Sequence, residues 1–391
     1  MQKPKAKIWV EGKSMFGQPT GVGQYTKRLV EALSQILSET NLTVFAFNFL
    51  TRSAPEPIFT GNTKIKYRYI RLFPGKIYTF AFKLGLTIPI NLLLRSKPDI
   101  IWFPNFVRWP VWGKKVKTII TLYDLSFIKF GQYSSPANRR YMLRFVPESI
   151  DKASHIITIS KNSKSEIINQ YKVDPAKISI VYPAVDHEVF YPRNVAEIES
   201  IKHKYKLPKN YILYVGTIEP RKNIDGILDA YEALGENLRR NYGLVLAGGK
   251  GWLDDKIQAR IASYQKTAGE VHKLGYVPDD DLPALYSGAG VFIYPSFYEG
   301  FGMPPLEALA CGVPVITADN SSLPEVVGKA AILIQADDTQ GLASAVGVVL
   351  EDKKKRQAMV VAGIKQAQKY NWQTSAQQLK KVMELVLDAT I

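Results

Sequence analysis

Short runs rich in β-branched and aromatic residues alternate along this chain with longer segments in which apolar residues recur every three or four positions. The runs Ile8–Val10, Leu42–Asn48, Lys64–Ile70, Asp99–Phe103, Thr118–Leu122, His155–Ile159 and Ile178–Tyr182 read as strands. Helical spacing fills the gaps, as in Val22–Leu37 and Arg139–Lys152. A polar stretch at Pro192–Pro208 reads as a connector. The alternation then restarts with Tyr211–Val215, Gly243–Ala247, Val271–Val277, Val291–Tyr294, Pro314–Thr317 and Ala331–Ile334. The last 35 or so residues read as helix throughout, with Trp372, Leu379, Val382, Leu385 and Val386 on an apolar stripe. Strand and helix in alternation predict parallel sheets. The expected architecture is α/β, two Rossmann-like halves joined by a linker, with the ligand site in the cleft between them.

Length agrees with two domains, because 391 residues exceed what one core usually organises. A single cysteine, Cys311, excludes a disulfide framework, and the four histidines never fall at metal-ligand spacing, so no metal is expected. The lysine-rich start lacks an apolar signal core, and no charge-free stretch of about 20 residues is present to span a bilayer. An intracellular protein, soluble or peripheral on a membrane, is the expectation.

Charge changes the picture. The net charge of +16 is carried almost wholly by residues 1–200, which hold 29 Lys and Arg against 14 Asp and Glu; residues 201–391 hold 22 against 21. Such an excess meets phosphate backbones, anionic lipid or an anionic substrate. No helix-turn-helix, zinc-finger or RNA-recognition signature accompanies it, so nucleic acid is the weaker alternative. From Lys64 to Lys97 there are eight basic residues and no acid, mixed with aromatic and aliphatic ones and ending in Ile88-Pro-Ile-Asn-Leu-Leu-Leu94. That composition suits the headgroup boundary of an anionic membrane. It also suits a core helix over Ile77–Leu94 whose lysines reach outward.

Three loops at carboxyl ends of predicted strands carry candidate chemistry. The first, Gly17-Gln-Pro-Thr-Gly21-Val-Gly23, opens a helix whose amides suit a phosphate, or is simply a tight turn. The second, Gly216-Thr-Ile-Glu219-Pro-Arg221-Lys222-Asn223, sets paired cations before a helix, an arrangement suited to a diphosphate or to plain solvation. The third is the most specific: Glu299-Gly300-Phe301-Gly302-Met303-Pro304-Pro305-Leu306-Glu307. Carboxylates only accept hydrogen bonds, so two of them beside glycine amides suit a polyol and its phosphate.

With these motifs in view, the chain resembles family 4 retaining glycosyltransferases of GT-B fold. Glu299 to Glu307 matches that family's Glu-x7-Glu motif, and residues 216–223 look like its donor-phosphate loop. Ile157-Thr-Ile-Ser160, Ala247-Gly-Gly249, Leu274-Gly-Tyr-Val277, Ser321-Ser-Leu-Pro-Glu325 and Tyr370-Asn-Trp372 are similar to further family segments. The resemblance implies an N-terminal acceptor-binding domain over residues 1–195, joined by a crossing-back helix at 372–391, and a sugar-nucleotide domain over 206–371. It implies that Arg221 and Lys222 hold the donor diphosphate as leaving group, that Glu299 binds sugar hydroxyls, and that Glu307 binds the ribose. Gly216, Gly300, Phe301, Gly302 and Met303 would line the donor, and Gly21 and Gly23 would close on it.

One departure stands out. Many relatives carry His-Asp where this chain has Tyr123-Asp124. Tyrosine keeps a hydroxyl for the donor sugar but is no imidazole base. Same-face substitution needs no such base, so sugar specificity is what changes. Asp124 is counted among the catalytic candidates as a sugar or acceptor contact, with a turn cap as the alternative. The resemblance is nearest to mannosyltransferases of bacterial surface polysaccharides. It implies GDP-mannose as donor, no cofactor, a lipid-linked oligosaccharide or polysaccharide acceptor, and a peripheral place on the inner face of the cell membrane. A sugar-nucleotide epimerase of the same fold is the alternative within this class.

Overall fold

The computed structural model describes residues 6–389 apart from 17–20, 38–40, 50–58, 60–61, 63, 134, 252–254 and 268–270. Among the described residues, strands form two wholly parallel sheets. The first contains β1 (Lys7–Glu11), β2 (Asn41–Phe47), β3 (Ile65–Ile70), β4 (Ile100–Phe103), β5 (Lys117–Thr121), β6 (His155–Thr158) and β7 (Ile178–Ile180), in the order β3-β2-β1-β4-β5-β6-β7. The second contains β8 (Tyr211–Val215), β9 (Gly243–Ala247), β10 (Val271–Gly275), β11 (Val291–Tyr294), β12 (Val315–Ala318) and β13 (Ile332–Ile334), in the order β10-β9-β8-β11-β12-β13. In each sheet the order reverses beside the first strand, at β1/β4 and at β8/β11. Ligands of open α/β sheets bind at that switch point, outside the carboxyl ends.

The central strands are apolar on both faces because helices cover both. Ile8, Val10, Ile100 and Trp102 pack toward helix Gly21–Ile36, while Trp9, Ile101 and Phe103 face the opposite layer with Tyr78, Phe82 and Phe145. Helix Trp372–Asp388 lies against helix Gly21–Ile36 and so returns the end of the chain to the first sheet. Tyr25 fixes that junction by packing on Trp372 at 6.2 Å and donating its hydroxyl to Val181 O at 3.0 Å.

Two segments differ from the expectation. The stretch at Pro192–Pro208 holds a helix, Val195–Tyr205, rather than a plain connector. Its start is a capping box, in which Asn194 accepts the Glu197 amide and Glu197 reaches back to the Asn194 amide. Only Ile201 is buried on it, so it had little apolar periodicity to read. The C-terminal helix is also broken: Lys353–Ala367 ends, and Trp372–Asp388 begins under an Asn371 cap.

Candidate active site

The loops after β8 and β11 meet in one buried cluster. After β8, Pro220–Lys222 make a single 3-10 turn that stops at Asn223, whose φ of 57° is left-handed. Asparagine tolerates that conformation, and its side chain caps helix Ile224–Glu232 by accepting the Gly226 amide at 3.1 Å. The sharp turn sends both preceding cations inward. Lys222 Nζ donates to Glu299 Oε1 at 2.5 Å and to the Tyr294 hydroxyl at 2.8 Å. Arg221 donates to the Tyr298 carbonyl at 2.7 Å, to Glu219 at 2.6 Å and to Glu299 Oε2 at 3.4 Å. Ser296 adds a hydroxyl to Glu299 Oε1 at 2.7 Å.

Lys222 and Glu299 are both buried. Burial alone would push the Glu299 carboxyl upward, but Lys222 and then Arg221 hold it at about 2. Burial likewise works against the Arg221 charge, and Glu299 and Glu219 overcome it, keeping the guanidinium above its ordinary value. Burial pulls Lys222 down. The two cations and the two carboxylates Glu219 and Glu299 offset one another in charge.

The glycine turn supplies the rest. Gly302 has φ 116° and caps helix Met303–Ala310, where a side chain would strike Leu323. At Gly300 the constraint comes from the other sheet. A Cβ there would stand 2.8 Å from Asp124 Oδ2, so only glycine lets the β11 loop close on the loop after β5. Asp124 Oδ1 meanwhile accepts the Ser126 amide at 2.8 Å. The aspartate therefore caps its own turn and also faces Gly300 of the loop after β11. Burial raises its pKa, against the Ser126 hydrogen bonds and the Arg221 charge.

Other expected residues stand differently. The Tyr123 hydroxyl donates to Pro104 O at 2.7 Å, and its ring lies against Tyr25 and Phe106. The Phe301 ring is packing between Tyr182 and Tyr370. Glu307 sits apart from the cation cluster and accepts the Tyr286 hydroxyl at 3.0 Å; burial pushes its carboxyl up to about 7. Gly216 follows β8 and donates to Ala247 O at 2.9 Å. Met303 opens the helix after Gly302. Gly21 and Gly23 lie in the first turn of helix Gly21–Ile36, with open space where a Gly21 side chain would be. The preceding Gly17–Thr20 lies outside the described residues.

Sequence reasoning missed Tyr298. Its hydroxyl donates to Glu166 at 2.6 Å and accepts the Leu125 amide at 3.2 Å, while its carbonyl holds Arg221. One residue thus ties the cation–carboxylate cluster to the backbone beside Asp124. Its place one before Glu299 was the only signal. Ser296 and Tyr294 were missed because a serine and a tyrosine near a strand end look like packing. Among the described residues, no group of three or more His, Cys, Asp or Glu is arranged to hold a metal ion.

Residues 19–189 match the family described as Glycosyltransferase Family 4, and residues 196–366 match Glycosyl transferases group 1. The O-antigen chain mannosyltransferase B of Escherichia coli is 33% identical over 378 residues, covering 94% of this chain and 96% of that protein. Among solved structures, sucrose-phosphate synthase from Thermosynechococcus elongatus superposes with a TM-score of 0.74 at 19% identity, covering 99% of this chain and all of that one (100%). The Anabaena protein HepE, solved with UDP and glucose, superposes at 0.71 and 17% identity over 97% of this chain and 100% of its own. The chain belongs to these glycosyltransferase families, resembles surface-polysaccharide mannosyltransferases, and has the GT-B fold.

Proposed function

We propose that this glycosyltransferase moves a mannosyl group from GDP-mannose to a lipid-linked oligosaccharide or polysaccharide acceptor with retention of anomeric configuration. The observation that carries the reading is the buried Arg221–Lys222–Glu299 cluster beside the amides of Gly300–Met303. The diphosphate takes over the cations, with Arg221 forking two oxygens and Lys222 acting as a point charge. Released from them, Glu299 accepts hydroxyls of the sugar, and Glu307 those of the ribose. The C1–O bond to the phosphate breaks as the acceptor oxygen bonds C1 from the same face, and the acceptor's proton passes to the departing phosphate. Negative charge grows on that phosphate, so fixed cations stabilise the transition state more than the bound donor.

The first half, with the crossing-back helix, is the acceptor-binding unit in this reading, and residues 206–371 are the donor unit. No described helix is long and apolar enough to cross a membrane. The basic excess of the first half serves to hold the enzyme on an anionic inner membrane face, where lipid-linked acceptors lie. The test is a panel of nucleoside diphosphate sugars. GDP-mannose at 100 times its dissociation constant should add roughly 2.7 kcal/mol to stability, and the product's anomeric proton should match the donor's. Stabilisation by none of the panel, or free sugar or epimer formed without acceptor, would overturn the reading.

A further inference from the structure

Helix Gly75–Lys83 and the chain after it carry a run of exposed apolar side chains. Tyr78 and Phe82 are buried against the first sheet, and the Tyr78 hydroxyl donates to Ile88 O at 3.0 Å, so this segment is firmly seated. Yet Leu72, Ile77, Phe80, Leu84, Leu86 and Ile88 are 52–73% exposed. The segment is apolar on both sides and covered on one. Contiguous apolar surface of this kind marks a site of contact.

Three residues beyond Ile88 the chain enters the wall of a cavity of about 900 Å³ between residues 91–99 and 112–116. Its walls are tied together: buried Asn91 donates to Trp112 O at 2.9 Å and accepts the Trp112 amide at 2.9 Å, and Ile90 donates to Pro110 O at 2.8 Å. Arg95, Lys97, Lys114 and Lys115 line it, beside Leu92 and Trp112, which are 48% and 67% exposed. The one acid of the wall, Asp99, is engaged by the Lys7 amide at 2.7 Å. None of the four cations has an ion-pair partner among the described residues.

We infer that this cavity takes the phosphate headgroup of an anionic phospholipid, with Leu84, Leu86, Ile88, Leu92 and Trp112 set among the acyl chains below it. Cations alone would suit any polyanion. It is the exposed apolar strip leading in sequence to this wall, together with an indole whose amphipathic ring suits the membrane boundary, that selects a lipid surface. The inference rests on the membrane reading above and narrows it from a basic half-chain to one built cavity.

Flotation of the full chain with vesicles tests it. Wild type should float with phosphatidylcholine vesicles containing phosphatidylglycerol and stay behind with phosphatidylcholine alone. Lys97→Gln/Lys114→Gln/Lys115→Gln should cut partition at 0.15 M salt by about 100-fold, each charge near the surface contributing about tenfold or less. Leu86→Ser/Ile88→Ser should lose binding to the same vesicles while its melting temperature stays within about a degree, as these side chains contact solvent already. Equal partition onto neutral vesicles, or a triple variant that floats like wild type, overturns the inference. So does competition by RNA or by inorganic phosphate at millimolar concentration that displaces the protein from vesicles without any effect of the two Ser substitutions. Stabilisation by nucleotide sugar, and transfer to a water-soluble acceptor, should be unchanged in both variants. Loss of those in wild type would sink the proposed function and leave the lipid site standing.

Discussion

Replacing Lys222 by methionine removes the charge from a pair whose side chains are each 10% exposed. What remains for Glu299 is Arg221 at 3.4 Å and the Ser296 hydroxyl at 2.7 Å. Breaking a buried pair by deleting one partner leaves a charge that has lost its solvent and its counter-ion, and costs about 3–5 kcal/mol. For a unit of 150–250 residues each kcal/mol moves the melting temperature by about 2–4 °C, so a fall of roughly 6–20 °C is expected at pH 7. Adding Glu299→Gln neutralises the stranded carboxylate and should recover at least half of the loss. The pH profile carries the same information. A carboxyl held at about 2 against an ordinary 4.5 contributes stability that is full above 4.5 and drains as pH falls toward 2. Lys222→Met should flatten that acid limb. Calorimetry of the ligand-free protein across pH 3–7 measures all three quantities. A single variant costing under about 1 kcal/mol, or a double variant no more stable than Lys222→Met, would refute the claim that these charges depend on each other.

Tyr298→Phe keeps the ring against Phe130 but removes the hydroxyl that joins Glu166 to the Leu125 amide, so turnover should fall about tenfold with donor affinity within twofold, read from kcat against donor titration. Arg221→Ala should lower the chemical step by about 100-fold or more, and Arg221→Lys should restore only part, because the fork is gone; an effect on KM alone would contradict the leaving-group role. With the Glu307 carboxyl raised to about 7, donor KM should fall as pH rises through 7 and ribose hydroxyls meet a carboxylate, whereas Glu307→Gln should show no such slope. The same raised pKa makes the neutral form the better-folded one, so Glu307 should favour stability below about 4.5 and lose that contribution as pH climbs to 7.

Much of this enzyme was legible in one dimension. Apolar runs such as Ile100–Phe103 and Val291–Tyr294 announced buried strands, because a parallel strand covered on both faces must be apolar at every position. The Glu299–Glu307 loop was visible because its glycines, prolines and two carboxylates stand at fixed spacing within nine consecutive residues. The charge asymmetry needed only counting. Helix Val195–Tyr205 escaped because its stability comes from a capping box more than from an apolar stripe. What tertiary structure alone decided were pairings between distant positions. That Lys222 meets Glu299 across 77 residues depends on β8 and β11 being neighbours, and that Tyr298 reaches Glu166 across 132 depends on how the two sheets face. The Tyr123 hydroxyl is spent on Pro104 for the same reason: β4 and β5 lie side by side. The segment after Gly75 shows the limit most directly. Its residues are apolar at nearly every turn, so the pattern could not say which face the sheet would cover; packing buried Tyr78 and Phe82 and left Ile77 and Phe80 facing outward.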